Sequence, residues 1–236
     1  MAKTLDELKL GFDRIEAAHA CRNLMGKYSY LHTAMRNKDY VQLWAQRDDD
    51  LLVMPWGYYQ GIEGVRKCYL EDHGDRNDPE IQNSPILKGG MMMHCMDTEV
   101  LEVAGDGKTA KGVWISPGHE TYVDGQVPGR PDETGDGKAH AEWCWGKYAV
   151  DFIKDADGQW KIWHMRLYPL FKCEYGTSWV EAEQPTADEF AFTSAEKNVS
   201  MWTYSPAEVY PANEPAIPWP YKHFEDVGIT FMDEEG

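Results

Sequence analysis

Two histidines in neighbouring predicted strands are the residues of this chain best suited to proton transfer. His94 lies in GGMMMHCMDTEV, residues 89 to 100, and His119 follows in ISPGHETYV. Free imidazole has a pKa of ~6.5, so a histidine that borders a pocket can act as general base or acid near neutral pH. We predict that His119 is this base or acid and that His94 helps to hold an oxygen that gains negative charge.

Alternation along the first of these strands separates its sulfur-bearing side chains. Successive side chains of a strand point to opposite faces, so Met92, His94 and Met96 share the face that we expect to line a pocket. The other two methionines and Cys95 face away. The stretch MMMHCM therefore cannot close around one metal ion while it remains a strand. His94 could also be a core histidine that a backbone carbonyl satisfies.

The same alternation orders the next two strands. His119 shares a face with Val113 and Ile115, which predicts that it points inward, although Pro117 beside it also fits an exposed loop. On the third strand, Tyr148 lies on the predicted inner face, where a phenol could donate a hydrogen bond to a developing oxyanion. A core tyrosine tied to the backbone is the alternative.

The remaining candidates would bind the substrate. On the fourth strand we predict that His164 and Arg166 point inward, and that the opposite face forms an oligomer contact. On the first helix Tyr28 and His32 stand four residues apart and can reach one cavity, although a packing stripe would explain them equally well. The predicted substrate-binding residues are Tyr28, His32, Trp56, Tyr58, Tyr59, Met92, Met96, Trp114, Glu142, His164 and Arg166.

Cofactor and metal sites have weak support in the sequence. It contains no GxGxxG, P-loop, GxSxG or HExxH motif. A metal site could be drawn from His94, His119 and Glu142, but their spacing is not that of a short-range ligand motif. We therefore expect no cofactor and no metal.

Charge and hydropathy limit the partners. The formal net charge of -17 repels phosphate backbones and anionic membrane surfaces, so we expect no nucleic-acid and no membrane partner. No apolar run resembles a signal peptide or approaches the ~20 residues of a membrane span. We expect a cytoplasmic protein that binds an aromatic or polycyclic small molecule.

The elements that must position these residues follow an α+β order. A helical block over residues 5–46 breaks near Gly26 or at the turn after Arg36, and an aromatic turn follows the first short strand. We predict that helices cover one face of a strongly curved antiparallel sheet. The predicted strands are 51–54, 91–103, 109–123, 141–155 and 159–171, with a helix over 62–69 between the first two.

We place the domain at residues 1–184, and a tail follows it. Residues 185–236 contain many prolines, which exclude regular structure, and many aromatic residues, which argue against a solvated tail. We expect the tail to wrap over its own subunit or a neighbour. Its characteristic residues include Pro185, Trp202, Tyr204, Pro206, Tyr210, Pro211, Pro215, Pro218, Trp219, Pro220 and Tyr221.

The order of these elements resembles the SnoaL-like branch of the nuclear transport factor 2-like superfamily. The resemblance rests on WGYYQG after the short strand, GIEGV in the next helix, and DGQWKI at the start of the last long strand, and it covers roughly residues 10 to 175. It implies a cone of curved sheet and helices around a deep pocket. The nearest pattern is that of scytalone dehydratase-like enzymes, in which His94 and His119 would be the two active-site histidines. Arg36 occupies the position of their helix aspartate.

This resemblance implies a cofactor-independent lyase, of the dehydratase or formaldehyde-releasing type. It would use acid-base chemistry on a hydroxylated aromatic or polycyclic small molecule in an apolar pocket. The catalytic residues would be His119, His94, Tyr148 and Arg36. An isomerase or cyclase of the same fold, or a non-catalytic small-molecule-binding or assembly protein, is the alternative, because this fold carries several functions. We expect a homo-oligomer, either a dimer or a trimer.

Overall fold

A computed structural model describes residues 3–73, 89–123, 138–184, 193–196 and 203–232. Most of the predicted turn-rich connection, residues 124–137, lies outside the described residues, as do Pro185 and Trp202 of the tail. None of the helices in the described ranges has the length and apolar character needed to cross a membrane.

The helical block consists of one long helix and several short ones. Helix α1 spans Leu5–Thr33, and its first turn is held by a capping box in which Thr4 and Glu7 bond each other's backbone. The helix passes through Gly26 without a break and ends just before Arg36. Helix α2 covers Asn37–Tyr40 and leads into a 3₁₀ turn, Val41–Leu43. Helix α3, Gly61–Arg66, continues as a π-helical turn over Lys67–Asp72.

Eight strands form one curved sheet in the described residues. They are β1 Leu51–Met54, β2 Gly57–Gln60, β3 Met91–His94, β4 Asp97–Val103, β5 Thr109–Ser116, β6 Gly118–Val123, β7 Ala139–Lys154 and β8 Trp160–Glu174. The order is β2-β1-β8-β7-β5-β4, and β6 joins β7 to β3. This is the predicted α+β cone, but the sheet is mixed, because β1 pairs with β8 in parallel. The expected aromatic turn is strand β2.

Strand β7 is long enough to pair with two strands on the same edge. Its first half pairs with β6 and its second half with β5, so β5 and β6 lie end to end with Pro117 between them. Proline has no backbone N–H to donate to the ladder, which explains the interruption at this position. Each half of β7 therefore pairs with a different strand, and β6 places Glu120 opposite Glu142.

The predicted inner face of β5 is wrong. Trp114 lies in the main core with Tyr148 and Phe152, whereas Val113 lies on the outer face with Ala149. His119, which shares alternation with Val113, therefore also points outward. Both faces of this strand carry apolar residues because the chain covers the outer face as well, so polarity could not distinguish them.

Two β-bulges reverse the alternation of β8. The pairing with β7 shifts by one residue at Trp163, so His164 pairs with Asp151 and Met165 becomes the core residue. The predicted inward orientation of His164 and Arg166 is therefore wrong. A second shift leaves Leu170 unpaired and brings Lys172 opposite Cys144. Lys172 thereby faces the inside of the cone.

The hydrophobic core lies between α1, α3 and the inner sheet face, where α1 contributes residues spaced by three and four such as Cys21, Leu24 and Tyr28. A second cluster covers the outer face, where Phe231 of the tail packs with Leu51, Val53, Val113, Ala149 and Tyr168.

The described parts of the tail contact the domain of the same chain. Glu196 and Tyr58 exchange two backbone hydrogen bonds at the edge of β2. Further along the tail, the Thr203 amide donates to Pro169 O at 2.9 Å, and Gly105 donates to Tyr221 O at 2.8 Å. These bonds hold the tail along the outside of the sheet.

A buried polar cluster fixes the last part of the tail to the sheet. The fully buried Asp151 carboxylate accepts hydrogen bonds from Lys111 Nζ and His164 Nδ1, both at 3.0 Å, and from the Thr230 backbone amide and hydroxyl. Lys111 also donates to Gly228 O. Burial opposes ionisation of Asp151, but the hydrogen bond from His164 and the charge of Lys111 outweigh it and lower the pKa of the carboxyl.

Replacing Asp151 with asparagine is expected to lower the free energy of unfolding by about 3 kcal/mol, because Lys111 would stay buried without its anionic partner. Since the folded-state pKa of Asp151 is lowered, its contribution is complete above about pH 5 and is lost as the pH falls through the folded-state value. Urea unfolding of wild type and D151N should therefore differ at pH 7 and converge in acid. The exposed Asp48 provides the matched control D48N, and an equal effect of both variants would contradict the prediction.

Candidate active site

The inner face of the sheet collects polar side chains at the end formed by β3, β6, β7 and β8. The pairing places His94 opposite Gly118, Glu120 opposite Glu142, and Cys144 opposite Lys172. Directly paired residues lie on the same face of a sheet. Four strands therefore bring two carboxylates, an imidazole, a thiol and an ammonium group together.

The centre of this cluster is the carboxylate of Glu120. Its Oε1 lies 3.0 Å from His94 Nε2, and its Oε2 lies 2.9 Å from Lys172 Nζ. The Tyr122 hydroxyl also donates to Oε2 and accepts from Lys172 at 2.8 Å. Lys172 forms a second ion pair with Glu142 at 2.9 Å. The side chains of His94 and Glu120 are only 9% and 8% exposed, so this pair is desolvated.

Electrostatics keep Glu120 ionised despite its burial. Burial alone would raise the pKa of this carboxyl, but the charge of Lys172 and the hydrogen bond from His94 hold it well below its ordinary value. Burial would lower the pKa of Lys172, but Glu120 reverses that effect and raises it. Burial raises the pKa of the Cys144 thiol well above its ordinary value, so the thiol stays protonated. Glu120 and Lys172 therefore form a buried ion pair.

Gly118 makes room for the imidazole of His94. A Cβ at position 118 would lie 2.6 Å from His94 Nδ1 and closer still to the backbone oxygen of Cys144. A side chain here would clash with both groups, one of them rigid backbone. With Nε2 bonded to Glu120, Nδ1 is the ring nitrogen that His94 can offer to a bound molecule.

Aromatic hydroxyls and a second imidazole from α1 continue the polar wall. The hydroxyls of Tyr28 and Tyr148 are 2.9 Å apart, and the rings of His32 and His94 stack at 5.9 Å. Burial raises the pKa of both tyrosines, so their hydroxyls remain protonated and can donate hydrogen bonds. Burial, with the neighbouring His94 and His73, lowers the pKa of His32 well below its ordinary value. His32 Nδ1 is buried and has no hydrogen-bond partner among the described residues.

Two further sets of residues border this region. Trp56 Nε1 donates to the Tyr59 hydroxyl at 2.8 Å, and Tyr59 donates to Asp72 at 2.7 Å. On the β7–β8 side, a surface groove of about 260 Å³ reaches Lys172 and Glu142 from outside. The buried ion pair is therefore next to an open groove.

The structure brings several predicted residues together. His94, Tyr148, Tyr28, His32 and Glu142 belong to the inner cluster or its wall. Four other predicted residues lie on the same side of the sheet. Trp114 and Tyr59 are core residues, Met96 packs against the core, and the half-buried Met92 pairs with Glu120 across the β3–β6 ladder.

Other predicted residues lie elsewhere. His119 is on the outer face, where its ring lies 4.8 Å from that of Trp143. Arg36 is exposed and forms an ion pair with Asp39 at 2.6 Å, because helix α1 ends before it and turns its side chain to the surface. Tyr58 faces the outer cluster, and His164 and Arg166 lie under the tail. Position therefore favours His94 over His119 as the proton-transfer group.

Sequence reasoning missed Glu120 and Lys172. A signal for Glu120 existed, because it shares strand alternation with Trp114 and lies next to His119. The wrong choice of inner face concealed it. Lys172 gave no such signal, since a bulge set by tertiary pairing decides its orientation. His73, whose ring lies 6.1 Å from that of His32, follows the π-helical turn and was also not predicted.

Three residues of the inner cluster are of types that can bind a metal ion. Within the described ranges, His94, Glu120 and Cys144 offer ligand atoms that all lie within 4.8 Å of one another. The ammonium of Lys172 already contacts Glu120 at 2.9 Å, so a metal cation on this carboxylate would lie beside a positive charge. These residues therefore fit a hydrogen-bonded cluster better than a metal centre. The alternative set of His94, His119 and Glu142 is not brought together.

Structural comparison finds the same fold in solved proteins. Hexachlorocyclohexane dehydrochlorinase LinA-type3 from Novosphingobium barchaimii LL02 is 14% identical, with a TM-score of 0.50 over 71% of this chain and 96% of that one. A protein provisionally called scytalone dehydratase, from Novosphingobium aromaticivorans DSM 12444, is 14% identical, with a TM-score of 0.48 over 71% and 93%. A nuclear transport factor 2-like superfamily protein from Salmonella enterica is 16% identical, with a TM-score of 0.46 over 69% and 97%.

The sequence comparison is more specific. No curated protein matches the chain. The family model of the SnoaL-like domain matches residues 13–166, which include most of α1 and most of the sheet. The predicted resemblance to SnoaL-like proteins is thus confirmed, and the chain belongs to the SnoaL-like domain family.

Proposed function

We propose that this protein is a cofactor-independent lyase that acts on a hydroxylated aromatic or polycyclic small molecule. The observation that carries the proposal is the buried contact of 3.0 Å between His94 Nε2 and the Glu120 carboxylate. An imidazole oriented by a carboxylate is a common arrangement for a general base. The name of one structural neighbour, a dehydrochlorinase, also describes an elimination reaction.

The geometry supports a separate role for each polar group in the loss of water. Glu120 accepts the Nε2 hydrogen, so Nδ1 of His94 carries the lone pair that removes a proton from substrate carbon. The C–H electron pair forms the new double bond as the C–O bond breaks, and the departing hydroxide takes the proton from the His94 imidazolium and leaves as water. The hydroxyls of Tyr28 and Tyr148 would donate hydrogen bonds to the oxygen that gains negative charge.

Release of formaldehyde would use the same base. His94 would remove the proton of a primary alcohol, the C–O bond would become a carbonyl, and the C–C bond would break. The electron pair of the broken C–C bond would then form a double bond and expel the hydroxyl group on the neighbouring carbon, which leaves as water. Aromatic side chains around the site, among them Tyr28, Trp56 and Tyr59, suit a flat aromatic ligand.

The substrate class can be tested with purified protein and a panel of hydroxylated aromatic and polycyclic alcohols. Mass spectrometry would follow the loss of water, or of water with formaldehyde. Either loss supports the lyase. A conversion without a change in mass would indicate an isomerase, and binding without conversion would indicate a non-catalytic binding protein.

Replacing His94 with glutamine is expected to lower turnover by ~100-fold or more, because the general base is lost. Replacing Glu120 with glutamine should also lower it, since the amide cannot stabilise the imidazolium that forms. H119Q is the matched control on the outer face of the same sheet region. Steady-state kinetics on any substrate from the panel would check the three variants. If H119Q loses activity while H94Q keeps it, the assignment of the base is wrong.

Replacing Gly118 with alanine is expected to displace His94 and to lower the free energy of unfolding by about 1–3 kcal/mol, because the added Cβ overpacks the site. G118A should lose activity although it retains every polar group. Gly26 in α1 has nothing within 4 Å of an added Cβ, so G26A should be neutral or stabilising by up to about 1 kcal/mol. Urea unfolding and turnover of both variants would check this, and a fully active G118A would contradict it.

The oligomeric state, the domain boundary at residue 184 and the cytoplasmic location remain predictions from the sequence. Light scattering of the purified protein would measure the first of these directly. A small molecule remains the proposed partner, with no nucleic acid, membrane or cofactor.

A further inference from the structure

His94 faces more negative than positive charge if Lys172 is left out. Glu120 contacts it directly, and Glu142 is the strand neighbour of Glu120 across the β6–β7 ladder. Nearby carboxylates favour the protonated form of an imidazole. An imidazole that is already protonated has no lone pair with which to remove a proton. The proposed base therefore needs a nearby positive charge that keeps it neutral beside its carboxylates.

Lys172 supplies this positive charge. Its ammonium lies 2.9 Å from both Glu120 and Glu142 and 2.8 Å from the Tyr122 hydroxyl. Its Nζ also lies 4.2 Å from the centre of the Tyr122 ring. The side chain is only 19% exposed, which limits screening by solvent. The second bulge of β8 is what turns this residue toward the cluster.

We propose that Lys172 is a positioning residue that keeps His94 available as the base, by fixing Glu120 as a hydrogen-bond acceptor and by offsetting the negative charge around the imidazole. This inference rests on the proposed function for its catalytic meaning. The protonation of His94 itself can be measured without any substrate.

The charged and titratable groups around His94 come from every element packed against it. Strand β6 contributes Glu120, strand β7 contributes Glu142 and Cys144, strand β8 contributes Lys172, and helix α1 contributes His32. His73, after the π-helical turn, and Tyr122 of β6 complete the set. Burial keeps the Cys144 thiol and the Tyr122 hydroxyl protonated, and it favours the neutral forms of His32 and His73. The net charge around His94 is therefore set by two carboxylates and one ammonium group.

A second substitution can restore the local charge that K172M changes. Two carboxylates and one ammonium sum to -1, and K172M leaves -2. The double variant K172M/E142Q removes one charge of each sign and returns the sum to -1. It lacks the contacts of Lys172 but restores the charge, so it separates an electrostatic role from a structural one.

The first experiment follows the ring nitrogens of His94 by NMR on full-length protein labelled with ¹⁵N-histidine, assigned with H94Q. At pH 7 the doubly protonated fraction of His94 should be larger in K172M than in wild type. K172Q, whose amide can still donate hydrogen bonds, should behave like K172M, and K172R should behave like wild type. K161M removes a lysine from the other end of the same strand, where Nζ donates to the Gln42 backbone oxygen at 3.1 Å, and should have no effect.

The second experiment uses a substrate of the lyase. The acid limb of the kcat/KM profile should move to higher pH by about one unit in K172M and return in K172M/E142Q, because nearby charges shift titrations by that order. An unchanged His94 spectrum in both K172M and K172Q overturns the inference, as does a double variant that stays as altered as K172M. A shifted spectrum in a protein that converts no substrate upholds the inference and rejects the proposed lyase.

Discussion

The buried carboxylate of Glu120 is the group on which the rest of the site depends. One of its oxygens orients His94 and the other binds Lys172 and Tyr122. A lone carboxylate in this position would be costly to ionise, because burial disfavours the charged form. The ion pair with Lys172 offsets this cost, and only the ionised form can hold the imidazole with Nδ1 free. Four strands, β3, β6, β7 and β8, must therefore be in register before these groups meet.

Irregular strands, more than regular ones, provide this register. Pro117 ends β5 and lets β6 pair with the other half of β7, which places Glu120 beside Glu142. The bulges in β8 send His164 to the outer face and Lys172 to the inner one. Each bulge moves a polar side chain from one face to the other, as expected when one extra residue enters a strand of period two.

The apolar outer face of the sheet explains why the sequence pattern predicted the wrong inner face for β5. The tail places Phe231 on Val113 and Tyr168, and the cluster around Asp151 binds Thr230 and Lys111 beneath it. A sheet whose two faces are both covered carries apolar residues on both, so the polarity pattern no longer identifies the inner face. His119 was assigned to the pocket for this reason, although it lies outside it.

The sequence by itself determined the family, the α+β cone, the N-terminal helical block and the strand that carries His94 between methionines, because these depend on local periodicity and element order. It also identified Tyr28, His32 and Tyr148, whose helix and strand spacing is regular. Only the tertiary structure decided that Glu120 is the partner of His94, that Lys172 faces the site, and that His119, Arg36 and His164 do not. The physical reason is that pairing register and bulges fix the face of each strand residue, and these arise from contacts between segments distant in the sequence.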